Sequence, residues 1–101
     1  MATVLMFHHA HGVTAGIAAL AERLRANGHT VYVPDTYAGH VFSSVDEGLA
    51  FAQHIGHDAA IDVAFRAART HPDADVVVGF SLGAMQAQAL AQSRRKIRAC
   101  A

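Results

Sequence analysis

The sequence predicts an α/β domain of three layers, with helices on both faces of a short parallel sheet. Three observations carry this. Short apolar runs rich in strand formers alternate with segments of helical period along the chain. The run 74–80, "ADVVVGF", is apolar on both faces, as a strand covered on both sides must be. No repeat or linker interrupts the pattern, and 101 residues suit one domain with a real core.

The elements follow in order. "TVLMFHH" (3–9) reads as a buried strand. "GVTAGIAALAERLRANG" then changes period. Ile17, Leu20 and Leu24 recur on one face, Thr14 can cap the start, and Gly28 can take the left-handed conformation after the end. "HTVYVPD" (29–35) is a second strand, closed by Pro34. After the loop "TYAGHVFSS", Ser44 and Glu47 match a capping box for a short helix over about 44–54. Gly56 breaks it. Asp58 can cap a longer helix that has Ile61, Ala64, Phe65 and Ala68 on its buried side and ends at His71-Pro72. The strand 74–80 leads into a last helix, 82–94, with Met85, Ala89 and Leu90 as core candidates.

In such a sheet, ligands gather at the carboxyl ends of the strands. That edge holds "HHAHG", "PDTYAGH" and "GFSLG". The last, Gly79 to Gly83, has the form of a nucleophile elbow. Between a strand and a helix, the serine takes a strained backbone so that its oxygen stands clear of the sheet. Gly79 and Gly83 let helix and strand pass closely. The helix N-terminus beyond Ser81 offers free N–H groups to a developing oxyanion. The plainer alternative is a glycine-rich turn in which Ser81 only caps the helix.

"VLMFHHAHGVT", "GHTVYVPDTYAG", "SSVDEGLAFAQHIG" and "GFSLGAMQAQALAQ" resemble successive segments of the dienelactone hydrolase family, in register from about residue 3 to 93. The resemblance implies a partial α/β-hydrolase fold, with the second strand outermost, the first in the middle and the third beyond it. It implies hydrolysis of a carboxylic ester or lactone, with Ser81 in a slot the family often fills with cysteine. It puts the oxyanion hole at the N–H groups of Leu82 and Ala10, and it puts His9 where the family's archetype has an acidic residue. Family members continue through strands that carry a triad Asp and then a His. Here the likeness ends near residue 93, so 1–93 reads as a partial domain and 94–101, "RRKIRACA", as a divergent basic tail. The expectation is a truncated hydrolase with weak or no turnover. The rival expectation is a catalytically dead fragment or interaction module that self-associates through an unpaired strand edge at 75–80.

His8, His9 and His11 share the active edge. They read first as loop residues hydrogen-bonded to backbone or water. Adjacent histidines on a strand point to opposite faces, so His8 and His9 do not readily share a metal ion, whereas His9 and His11 could. A third reading is a makeshift relay running from Asp35 to His9 to Ser81, with His9 as base and Asp35 as its orienting partner.

Composition narrows the classes. Residues 1–93 hold eight acids against four bases, and the end holds Arg94, Arg95, Lys96 and Arg98. Four terminal bases are a weak basis for nucleic-acid or lipid binding, so neither is expected as a partner. One cysteine, Cys100, excludes an internal disulfide. No basic leader precedes the first apolar run, and no run reaches the ~20 residues of a membrane span. The expected setting is cytoplasmic, with no cofactor, no metal and a small-molecule ester or lactone as partner.

Overall fold

The computed structural model describes residues 2–93 and the backbone of 98–100. Among the described residues, four strands form one parallel sheet, β1 (Thr3–Phe7), β2 (Thr30–Tyr32), β3 (Val76–Gly79) and β4 (Arg98–Cys100), in the order β2-β1-β3-β4. Four helices join them: α1 (Ala15–Ala26), α2 (Val45–Ile55), α3 (His57–Thr70) and α4 (Leu82–Ser93). The α/β class and the order of the first three strands are those the sequence predicts.

Alternation along β1 divides the core in two. Val4 and Met6 face α1, where they pack with Ile17, Ala21 and Val31. Leu5 and Phe7 face the other way, against Val77, Ala64 and Ala68 of α3, and Ala87 and Leu90 of α4. A strand buried on both sides therefore reads as one continuous apolar run, which is why periodicity alone does not assign its faces. In α1, the Thr14 hydroxyl accepts from the Ile17 N–H at 3.4 Å, and Gly28 has φ +92°. At the sheet edge, the Arg25 guanidinium donates twice to the Val31 carbonyl, at 3.3 and 2.7 Å, and so occupies an acceptor that an edge strand leaves open.

Two expectations need correction. Asp58 does not cap α3; Gly56, with φ +91°, holds that place without a side-chain bond. The buried side of α3 is as expected: Ala60, Ala64 and Ala68 are buried, Phe65 packs half-buried against the same core cluster, and Ile61 is half-buried. Alanines at i, i+4 spacing form the centre of that side and allow close helix approach.

The second correction concerns the chain's end. β4 pairs with β3 through Val76–Arg98, Val77–Ala99 and Val78–Cys100. The edge expected to be unpaired therefore has a neighbour along its middle, and Arg98–Cys100 belongs to the sheet rather than to a separate tail. Three residues are too few to show an alternating pattern, so no periodic signal marks a strand there. The bases Arg94, Arg95 and Lys96 lie outside the described residues. Among the described residues, no helix is long and apolar enough to cross a membrane.

Candidate active site

β3 ends at Gly79 and α4 begins at Leu82, so Phe80 and Ser81 make the whole connection. Ser81 has φ +54°, a conformation that costs an L-residue about 1–2 kcal/mol. The turn is held by Gly83 N–H to the Phe80 carbonyl at 2.9 Å and Ala84 N–H to the Ser81 carbonyl at 3.0 Å. Ser81 is exposed, and its hydroxyl has no hydrogen-bond partner among the described residues. It therefore does not act as a cap for α4.

Packing explains both glycines. A Cβ on Gly79 would lie 2.2 Å from the Gly83 carbonyl oxygen. One on Gly83 would lie 2.4 Å from the Phe7 oxygen and 2.6 Å from that of His8. All three obstacles are backbone atoms and cannot rotate away. The first turn of α4 thus rests directly on the end of β1, and the Phe7–Gly79 register sets the "HHAHG" loop beside the serine turn.

Helix geometry leaves the N–H of Leu82 without an intrahelical acceptor. Among the described residues it finds no other, and neither does the N–H of buried Ala10. Ala10 is pinned from above by α2, where a Cβ on Gly48 would lie 2.1 Å from the Ala10 oxygen. Tyr37, 1% exposed, donates its hydroxyl to the Gly48 carbonyl at 3.1 Å. Phe42 and Phe51 meet the Tyr37 ring edge-on, at 5.8 and 5.1 Å. This aromatic cluster fastens α2 over the loop.

The histidines behave differently from one another. His8 is 1% exposed. Its Nδ1 lies 2.8 Å from the His9 carbonyl, and its Nε2 accepts from the Thr36 N–H at 3.0 Å. Nδ1 must then carry the proton, and both nitrogens are occupied. His9 Nδ1 accepts from the His11 N–H at 3.2 Å, which puts the proton of the neutral ring on Nε2. Burial lowers the His9 pKa, and the neighbouring His11 and His8 lower it further. His9 and His11 meet edge-to-face at 5.0 Å. Among the described residues, no three His, Cys, Asp or Glu side chains are grouped to hold a metal ion.

The relay through Asp35 and His9 is not assembled. Asp35 accepts from the N–H groups of Tyr37 (3.0 Å) and Gly39 (2.9 Å), capping its own loop. Its nearest imidazole nitrogen is His8 Nε2, at 3.7 Å, rather than any nitrogen of His9. The His9 lone pair that a base would use is already engaged. The physical reason is the loop itself: beyond Phe7 the chain turns instead of continuing as strand, with Gly12 N–H bonded to the His9 carbonyl at 3.0 Å. Strand spacing therefore ceases to govern where these rings lie.

The sequence reading missed a buried polar chain. Gln86 of α4, 1% exposed, donates from Nε2 to the Thr36 hydroxyl at 3.1 Å and to the Ala60 carbonyl at 2.8 Å. Through Thr36 it continues to His8. The available signal was a glutamine within "GAMQAQAL" at the predicted helix's buried spacing.

A model of the dienelactone hydrolase family matches residues 1–101. The chain belongs to the dienelactone hydrolase family. The match extends past residue 93, where the sequence reading ended the likeness, and covers the segment containing β4. No curated protein matches the chain. The parallel sheet and its helices are consistent with a partial α/β-hydrolase fold, the fold of this family.

Proposed function

We propose that this chain hydrolyses a carboxylic ester or lactone through Ser81. The hydroxyl attacks the carbonyl carbon, the carbonyl oxygen becomes an oxyanion, and the N–H groups of Leu82 and Ala10 stabilise it. As the Oγ–C bond forms, the Ser81 proton passes to solvent. The oxyanion then collapses, the C–O bond to the alkoxide breaks and the alkoxide takes a proton from solvent. Water adds to the acyl-serine, releasing the acid and returning a proton to Ser81 Oγ. The observation that carries this reading is the exposed, positive-φ serine at the mouth of a glycine-tight strand-to-helix turn. A serine whose hydroxyl bonds to nothing among the described residues has no evident structural reason to hold a strained conformation. Family membership supports the same chemistry.

Both nitrogens of His8 are committed, and so is the basic nitrogen of His9. Turnover by these residues alone is therefore proposed to be weak. It would rest on the oxyanion site and binding, orders of magnitude below a complete triad. Hydrolysis of 4-nitrophenyl acetate tests this. A rate above background that vanishes in Ser81→Ala and survives in His9→Gln is expected. Equal rates for the parent chain and Ser81→Ala would leave a non-enzymatic role.

A further inference from the structure

A pocket of about 330 Å³ lies beside the serine turn. Leu82, the residue after Ser81, forms one wall with Met85, a turn further along α4. Leu49, Ala52 and Ile55 of α2 form the opposite wall. Ala60 of α3 and Thr36 also contribute, and Gln86 bonds to both of them from α4. The pocket is therefore braced by a buried hydrogen-bonded strut.

Its chemistry is nearly all apolar. Among the described residues no Lys, Arg, Asp or Glu lines it, and Gln53 and His57 at the α2–α3 junction are polar side chains on its wall besides Thr36 and Tyr37. The Tyr37 hydroxyl is spent on Gly48, and the Thr36 hydroxyl already accepts from Gln86. Leu49 lies 42% exposed at α2, an apolar side chain left in water beside an apolar pocket. A carboxylate entering this space would shed hydration against mostly apolar walls, with no Lys or Arg among the described lining residues to pair with it, whereas a hydrocarbon group gains from the transfer.

We propose that this pocket selects the substrate by its acyl group, accepting an uncharged, compact apolar chain or ring and rejecting one that ends in a carboxylate. The proposal rests on the reading of Ser81 as nucleophile. With the carbonyl carbon at Ser81 and its oxygen at the Leu82 N–H, the acyl group runs along the Leu82 side chain into the pocket. At ~30 Å³ per water-sized group, the space holds up to about ten non-hydrogen atoms. That sets a limit near a medium-length chain or a single ring.

Binding and turnover test it separately. The full chain is titrated with hexanamide and with adipic acid monoamide, which has the same chain length but a terminal carboxylate. Methyl NMR is the readout. Hexanamide should shift the Leu49, Leu82 and Met85 methyl signals saturably. The carboxylated amide should require at least tenfold higher concentration, and Leu49→Lys should narrow or reverse the difference. Absent shifts with hexanamide, or equal binding of the two amides, would overturn the proposal. The 4-nitrophenyl esters of hexanoate and monoadipate are then compared by kcat/KM, with at least a tenfold preference for hexanoate expected. Selective binding without Ser81-dependent hydrolysis would remove the nucleophile and keep the pocket. Ser81-dependent hydrolysis of both esters at equal rates would keep the nucleophile and remove the selection.

Discussion

Replacing Gly83 by alanine isolates the close approach on which the serine turn depends. The added carbon would sit 2.4 Å from the Phe7 oxygen, 2.6 Å from the His8 oxygen and 2.8 Å from the Phe7 carbonyl carbon. Restoring ordinary van der Waals separation requires roughly 1 Å of movement between α4 and β1. Both are packed on either side, β1 being buried from Val4 to Phe7, so the strain has little room to spread. Overpacking of this kind costs typically 1–3 kcal/mol, occasionally more. Better helix propensity returns up to about 1 kcal/mol. A net loss of about 2 kcal/mol lowers Tm by roughly 8–16 °C in a domain of this size. Gly16 is the control. In α1, its added Cβ would meet nothing nearer than the Thr14 hydroxyl at 3.8 Å, so Gly16→Ala should gain a few tenths to 1 kcal/mol. Thermal melts followed by circular dichroism compare the two. A Gly83→Ala protein that melts cooperatively at or above the parent temperature would refute the contact, and with it the geometry assigned to the turn.

Gln86→Met keeps the side-chain length but removes the donor shared by Thr36 and Ala60. A loss of about 1–3 kcal/mol in urea denaturation is expected, because buried acceptors are left unmatched. Ser81→Gly and Ser81→Ala both remove the hydroxyl, but only glycine relieves the positive φ. The glycine variant should be more stable than the alanine variant by about 0.5–1 kcal/mol, as read from their chemical denaturation midpoints. The depressed His9 pKa means that the unfolded chain binds a proton there more readily than the native one. Its contribution is therefore absent well above the ordinary value of 6.5 and becomes a destabilisation as pH falls through that value toward the lowered one. His9→Gln should flatten that acid limb in a series of melts across pH, and an unchanged limb would contradict the shift. Finally, a chain ended at residue 93 would lose β4 and uncover the outer edge of β3. Light scattering on size-exclusion fractions should show it larger, relative to its mass, than the 101-residue chain.

Much of the scaffold was legible because its signals are local. The Thr14 and Ser44 caps were readable, with Glu47 N–H reaching the Ser44 hydroxyl at 3.4 Å, as was the left-handed Gly28. Each depends on residues within a few positions. The misreadings arose where distant segments decide. The partner of Asp35 depends on how a loop after β2 folds back, and no spacing encodes that. The burial of Gln86 depends on two acceptors, 26 and 50 residues away, converging on one nitrogen. β4 was hidden for another reason: three residues among bases look like solvated chain until a neighbouring strand supplies the ladder.

The serine turn and the buried polar strut are mechanically one assembly. Ser81 holds an unfavourable φ only because the turn on either side cannot relax: Gly79 and Gly83 are in backbone contact, and Gly83 is seated on β1. Gln86, one turn beyond Gly83, fixes the same helix to α3 and to the loop after β2. A movement of α4 that eased the serine would have to break those two buried hydrogen bonds. Local strain of 1–3 kcal/mol is thus opposed by interactions of similar size a short distance along the same helix. By this logic, weakening Gln86 loosens the serine turn as well as the pocket wall. Stability lost at Gln86 and geometry lost at Ser81 are coupled quantities, and a double substitution at the two sites should be less than additive.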